Sequence, residues 1–467
     1  MSAFRGTLNR TTSPHEFAWA GAGAATAIVV GLAASRSPGL AVVLTALVAL
    51  PFLLLTRISL IFGLLVGSVF IEAVDIGGVA VTRLIAPLAL VVVVCALLVG
   101  RASLAGDRLW IWVGAYAAWA VASGFWTLDP SGTGFLIASL AIGVTYAFAF
   151  ATLIDAERDL QTVLGFLTVG AVATGIYSIM TYLFGGLERA GGGTGDPNLF
   201  AAFQLVALPL VLVAGTEARQ RWQRLLYYAS SLIIAASVLT SLSRGGVITF
   251  AALLLVVLVV PSRHSVFRSR AHKAVVVFAI LAASAGAVKL TEDRLLPRID
   301  EVFTTSGRTG SGRLNEWGGA WTAFQERPLL GLGFGAFPAQ STDLMLRTQG
   351  VDLANYELRP YGVRAHNTYL ESVAELGVVG LVLFLGLLVS CGRSLWRAAR
   401  MAARINNQPL RRIANALLVA LLAWSISAVF LSVQTSRSLW MLVGLSIAVV
   451  KLTRPLGAQG PLPPPST

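Results

Sequence analysis

Cysteine, charge and histidine are all scarce in this chain, and each shortage excludes a class of function. The two cysteines, Cys95 and Cys391, lie within or at the end of apolar spans, so neither a disulfide framework nor a thiolate metal site is expected. Charged residues make up only 12% of the 467 positions, about half the roughly 25% of an ordinary soluble domain. With 56% hydrophobic residues and a mean hydropathy of +0.76, a soluble fold has too little polar surface to cover the apolar part. Acidic residues are the scarcer sign, 22 against 35 Lys and Arg, for a net charge of +13. In a soluble protein that excess would point to nucleic acid. Here the basic residues sit in short clusters between apolar spans, so the charge marks membrane topology and no nucleic-acid partner is expected. No internal repeat relates the two halves, which disfavours transporters built from inverted repeats.

What is abundant is long apolar runs. A membrane helix needs about 20 mostly apolar residues. About fourteen stretches qualify, near 17–34, 38–55, 58–74, 79–99, 109–127, 134–154, 160–184, 197–215, 225–241, 245–261, 274–290, 366–391, 413–431 and 438–453. The expected fold is therefore all-α, a polytopic membrane helix bundle with both termini in the cytoplasm. That orientation gathers Arg57, Arg101, Arg108, Arg158, the Arg219/Arg221/Arg224 group, residues 263–273, residues 393–412 and Lys451/Arg454 inside. The short outer loops keep Arg36, Arg83, Arg189, Arg244 and Arg437. The first span follows Arg5 and Arg10 as a secretory signal would, but the alternation works only if it is retained. The expected division is a transmembrane bundle over 1–290 (helices 1–11), a large outer loop over 291–365, helices 12–14 over 366–453, and a proline-rich, disordered cytoplasmic tail over 454–467.

A connection as long as 291–365 is usually functional or disordered. Leu314, Trp317, Trp321 and Phe324 recur within it at three- and four-residue spacing, with Arg313, Asn315, Glu316 and Gln325 between them. The spacing predicts a short amphipathic helix, either lying on the membrane surface with its tryptophans at headgroup level or packed against the bundle mouth. Pro328 and the glycines of PLLGLGFGAF end it.

An ionisable group at the mouth of a membrane span is costly, on the order of 2.5–3.5 kcal/mol for Arg on insertion scales, and so tends to have a purpose. His366 is the one histidine expected outside, since His15, His264 and His272 fall in cytoplasmic segments. It is thus the imidazole available there for acid–base work. In RAHNTYLESVAELGVVG, His366 and Asn367 open a helix, and Asn367, Glu371 and Glu375 share one of its faces. The plainer reading is that His366 and Asn367 cap the helix. Arg244, in TSLSRGGVITF, sits at a tight outer turn beside glycines, where a guanidinium could hold a phosphate or simply reach headgroups. The run RAGGGTGDPNLFA lacks the Gly-Lys-Ser/Thr ending of a nucleotide-binding loop; Asp196 as N-cap with Pro197 at the first helical position accounts for it better. No His/Cys/carboxylate set has metal-ligand spacing on the outer face, so no dedicated metal site is expected.

Four features coincide in order: GDPNLFA, then SRGG at an outer turn, then RLNEWGGAWTAFQERPLLGLGFGAF, then HNTYLESVAELGVVG. Together they resemble the O-antigen ligase and polymerase family of bacterial membrane glycosyltransferases, over about residues 189–385. The resemblance implies a fold of the glycosyltransferase C superfamily in the bacterial inner membrane. It implies a donor glycan on undecaprenyl diphosphate, a glycan or lipid acceptor hydroxyl, and periplasmic, metal-independent inverting transfer without a cofactor. It assigns Arg244 to the departing diphosphate and His366 as base or acceptor-orienting group, with Arg189 and Arg364 as further anion contacts. Asn367 and Glu371 are candidates for contacts to the sugar or to the residues that hold it, and Asp196 and Asn198 are the remaining substrate-binding candidates. About fourteen spans, where ligases of the family have twelve, tilts the reading toward polymerase. The competing readings are a transporter or flippase of a lipid-linked glycan or small solute, and a structural subunit of an envelope assembly.

Overall fold

The computed structural model describes residues 57–71, 75–76, 79–185, 189–261, 266–303, 312–349 and 362–454. The expected spans at 17–34 and 38–55, the tail from 455 onward, and parts of the outer loop lie outside these residues. A helix occupies the place of each of the twelve other expected spans: α1 (Ile58–Phe70), α2 (Val81–Leu98), α3 (Leu109–Ala122), α4 (Pro130–Leu153), α5 (Glu157–Phe184), α6 (Pro197–Glu217), α7 (Arg221–Thr240), α8 (Arg244–Val259), α9 (Arg270–Phe303), α12 (Thr368–Arg404), α13 (Gln408–Ser427) and α14 (Arg437–Thr453). Two shorter helices, α10 (Arg313–Glu326) and α11 (Phe337–Arg347), belong to the long connection, and residues 75–76 pair with 79–80 as a minimal antiparallel hairpin.

Six of the described helices are long and apolar enough to cross a membrane: α4, α5, α6, the Arg270–Lys289 part of α9, α12 and α13. Four shorter apolar helices accompany them, at Ile58–Phe70, Arg83–Leu98, Leu109–Phe125 and Arg244–Val259. Their outward faces carry exposed Ile111, Val169, Leu255 and Phe278, which water would not tolerate in such number but hydrocarbon does. The chain is a multi-pass membrane protein.

The helix termini follow the local signals. Asp129 and Asp196 accept backbone N–H bonds at the starts of α4 and α6, each followed by Pro at the first helical position. The centre of the bundle is α6 and α14, buried along nearly their whole length; α6 packs on α7 and α13, and α14 on α4, α12 and α13.

α12 departs from a simple span. It runs 37 residues to Arg404, well past the expected end at 391, and is interrupted at Gly377, whose φ of 66° and ψ of −172° are not helical. The break strips backbone groups of their helical partners, which is costly in a membrane bundle unless other groups take over. The segment 328–333 does so: Leu332 N–H donates to Ala374 C=O (3.0 Å), Gly333 N–H to Glu375 C=O (2.9 Å), and Val378 N–H to Pro328 C=O (2.8 Å). Trp119 and Trp126 add indole N–H bonds to the carbonyls of Leu376 and Leu330, both 3.0 Å. The glycine-rich end of the loop helix is thus fastened to the upper part of α12.

The predicted amphipathic helix exists as α10, with a different face turned inward. Glu316, Gly319, Ala320 and Ala323 are buried against α11 and α12, while Leu314 and Trp321 stand exposed. Small residues allow the close approach that larger ones would prevent, so Trp321 faces outward while Trp317 and Phe324 are half-buried at the edge of the contact.

Candidate functional site

The site is assembled from five stretches far apart in sequence. The first is the loop into α6. Asp196 caps that helix by accepting from Asn198 N–H (2.7 Å) and Leu199 N–H (3.4 Å). The side-chain carbonyl of Asn198 accepts from Arg189 Nη2 (3.1 Å) and from Ser243 Oγ (2.9 Å). Arg189 also donates through Nε to Ser241 C=O at 3.4 Å. Arg189 and Asn198 therefore tie the α6 entrance to the α7–α8 turn.

That turn is the second stretch. Ser243 caps α8 by accepting from Gly246 N–H (3.1 Å), which makes Arg244 the first residue of the helix. Gly245 and Gly246 are required here by close approach. A Cβ on Gly246 would fall 2.8 Å from that of Ala201 in α6, and one on Gly245 would fall 2.9 Å from the Phe430 side chain. The packing that presses α8 onto its neighbours is what fixes the position of Arg244.

The third contributor is Arg313, the first residue of α10. It is half-buried, and it feels the charges of Glu316, Arg244 and Asp196. Burial first, and the neighbouring Arg244 charge after it, weaken its hold on its proton relative to a free guanidinium. It was not among the residues singled out from sequence. A signal was present: a cation at a helix N-terminus opposes the helix dipole, a placement that needs a compensating reason.

The fourth stretch is 364–371. His366 adopts a left-handed backbone, φ 47°, between buried Ala365 and Asn367. Asn367 caps α12 by accepting from Tyr369 N–H (3.0 Å) and Leu370 N–H (3.1 Å), so of this polar pair Asn367 is the cap and His366 stands just outside the helix. His366 feels Arg313, Glu371, Asp196 and Arg364. Burial, then the Arg313 charge, hold its pKa below the ordinary imidazole value, against the opposing pull of Glu371 and Asp196. Arg364 pairs with Glu371 through Nη2 (2.5 Å) and Nε (3.1 Å). Glu371 is fully buried and accepts in addition from Ala365 N–H (3.0 Å) and from Ser432 and Gln434 of the α13–α14 connection, the fifth stretch, at 2.5 and 3.1 Å.

Arg244 and His366 are thereby brought into one cluster, joined by Arg313 and Asp196. Chemically it offers two guanidinium groups that feel each other's charge and would favour an anion between them, beside an imidazole held toward its neutral, proton-accepting form. Among the described residues no group of three or more His, Cys, Asp or Glu side chains is placed to hold a metal ion.

Residues 229–385 match the sequence model of the family described as O-antigen ligase. Over that stretch, about a third of the chain, the protein is similar to O-antigen ligases. Arg244, Arg313, Arg364, His366 and Glu371 fall within the ligase match, and Arg189, Asp196 and Asn198 precede it. A search of curated proteins returns no match. A stretch similar to the O-antigen ligase family thus lies within a multi-pass helical protein.

Proposed function

We propose that this protein transfers a glycan from an undecaprenyl diphosphate carrier to an acceptor hydroxyl at the periplasmic face of the bacterial inner membrane, as a polymerase rather than a ligase. The observation that carries the reading is a chain of electrostatic neighbours, Arg313 beside Arg244 and Asp196 and His366 beside Arg313 and Asp196, three of the four within the ligase-family match. About fourteen spans with both termini inside, and with residues 291–365 as the outer loop between bundle segments 1–290 and 366–453, would put that cluster on the periplasmic side.

In the proposed reaction the acceptor oxygen attacks the anomeric carbon from the side opposite the diphosphate. The new C–O bond forms as the sugar–phosphate bond breaks, which inverts the anomeric centre. His366 receives the hydroxyl proton, for which its lowered pKa keeps it unprotonated at neutral pH. The electron pair of the broken bond leaves on the lipid diphosphate. Arg244 and Arg313 sit where two positive groups can stabilise that growing charge without a metal ion. Arg189, Asp196 and Asn198 shape the entrance from the α6 side, and Asn367 orients the turn that carries His366.

In cells that depend on this protein for long-chain glycan, Arg244→Ala and His366→Ala should each abolish that product while the variants remain in the membrane at normal level. Normal chain length from both would refute the site.

A further inference from the structure

Glu371 was a candidate for touching sugar, but its surroundings leave it no room to do so. Its side chain is fully buried, and both oxygens are committed. Oε1 takes the Arg364 fork and the Gln434 amide; Oε2 takes Ala365 N–H and the Ser432 hydroxyl. These donors come from two segments, the one that leads into His366 and the α13–α14 connection. Arg364 and Ala365 directly precede His366, and Ser432 and Gln434 belong to the segment that wraps the start of α12. That segment is itself fastened to the residue after Asn367, since Thr368 N–H donates to Ala428 C=O (2.8 Å) and the Thr368 hydroxyl donates to Leu431 C=O (2.6 Å) while accepting from Val433 N–H (2.9 Å).

A left-handed backbone at a non-glycine residue is strained and persists only where its surroundings impose it. His366 is such a residue, and the buried carboxylate supplies the constraint. We infer that Glu371 is a positioning residue: its clamp on Arg364, Ala365, Ser432 and Gln434 holds the His366 turn in the conformation that aims the imidazole at the acceptor, and Glu371 itself never meets substrate. The inference rests on the proposed role of His366. It also has an electrostatic arm. Of the charges acting on His366, Arg313 and Arg364 favour the neutral ring, and Glu371 and Asp196 favour the protonated ring.

The test is Glu371→Gln in the purified, full-length protein, assayed for glycan transfer across a pH series and expressed per folded molecule. A misaimed base should lower kcat on the order of 10²-fold with little change in KM for the donor. The acid limb of the pH profile should move to lower pH, because the carboxylate charge that favoured protonation is gone. A carboxylate that serves only the fold would lower the yield of folded protein and leave kcat and the acid limb of the surviving molecules unchanged; that result overturns the inference. Should Glu371→Gln fail to fold, the Ser432→Ala/Gln434→Ala pair removes two of the clamp's donors and leaves the carboxylate charge in place. It should lower kcat without moving the acid limb, and unchanged kcat there overturns the inference equally. His366→Ala run in parallel separates the two ideas. If His366→Ala keeps full activity, the proposed function fails; if it is inactive while Glu371→Gln is normal, only the clamp fails.

Discussion

At the scale of single residues, the cluster is governed by who neighbours His366. As a base it works in the neutral form, so activity should be lost as pH falls through its pKa, at a value below that of a free imidazole because burial and Arg313 favour the neutral ring. Arg313→Ala removes a positive neighbour, which raises that pKa and shifts the acid limb of the rate profile to higher pH. It should also weaken transfer, since one of the two guanidinium groups proposed to stabilise the diphosphate is lost. A pH series of kcat/KM on Arg313→Ala checks both; an acid limb that stays in place would detach Arg313 from His366. The contrast with the sequence reading is instructive at this scale. Arg244 and His366 stood out in the sequence because each is an ionisable group at the start of a long apolar run, and His366 is the one histidine expected on the outer side. Arg313 did not, because in sequence it is one polar residue among several in a loop, and only the packing of α10 onto α12 carries it to the site. The partners of Glu371 were hidden for the same reason, since two of its donors lie more than sixty residues away.

At the scale of elements, apolar run length located helices well and their ends less well. α12 was expected to stop at 391, yet it continues to Arg404, because arginine-rich segments such as 393–404 are good helix formers once the preceding turns are in place. The interruption at Gly377 was not read from the pattern either, since a glycine within an apolar run is common and only the partner segment 328–333 shows what the break is for. A methyl group there would meet backbone, not a side chain that can move aside: the added Cβ would lie 2.1 Å from Leu329 C=O, at a φ of 66° that costs an L residue about 1–2 kcal/mol on its own. Gly377→Ala should therefore lower the melting temperature in detergent and detach the loop base from α12. Gly134→Ala, where the added Cβ meets nothing within 4 Å, should leave the melting temperature unchanged or slightly raised. Equal melting temperatures for the two variants would contradict the fastening described.

At the scale of the whole molecule, the bundle does two things at once. α6 and α14 form its buried centre, and the neighbouring helix ends carry the polar cluster. Residues 196, 244, 313 and 366 are then gathered by packing alone, with no local motif long enough to hold them together. The broad class was legible from composition, since the scarcity of charge left a membrane as the only solvent that suits the chain. The transfer reaction and the transport alternative diverge at this scale, because both need a lipid-linked glycan and only one makes a new bond. The most direct measurement uses the purified full-length protein in lipid vesicles supplied with an undecaprenyl diphosphate-linked glycan and an acceptor glycan. The account predicts joined product and released undecaprenyl diphosphate in equal amounts from the wild-type protein, and none from His366→Ala. Joined product from His366→Ala at the wild-type rate, or donor carried across the bilayer with no joined product, would contradict it.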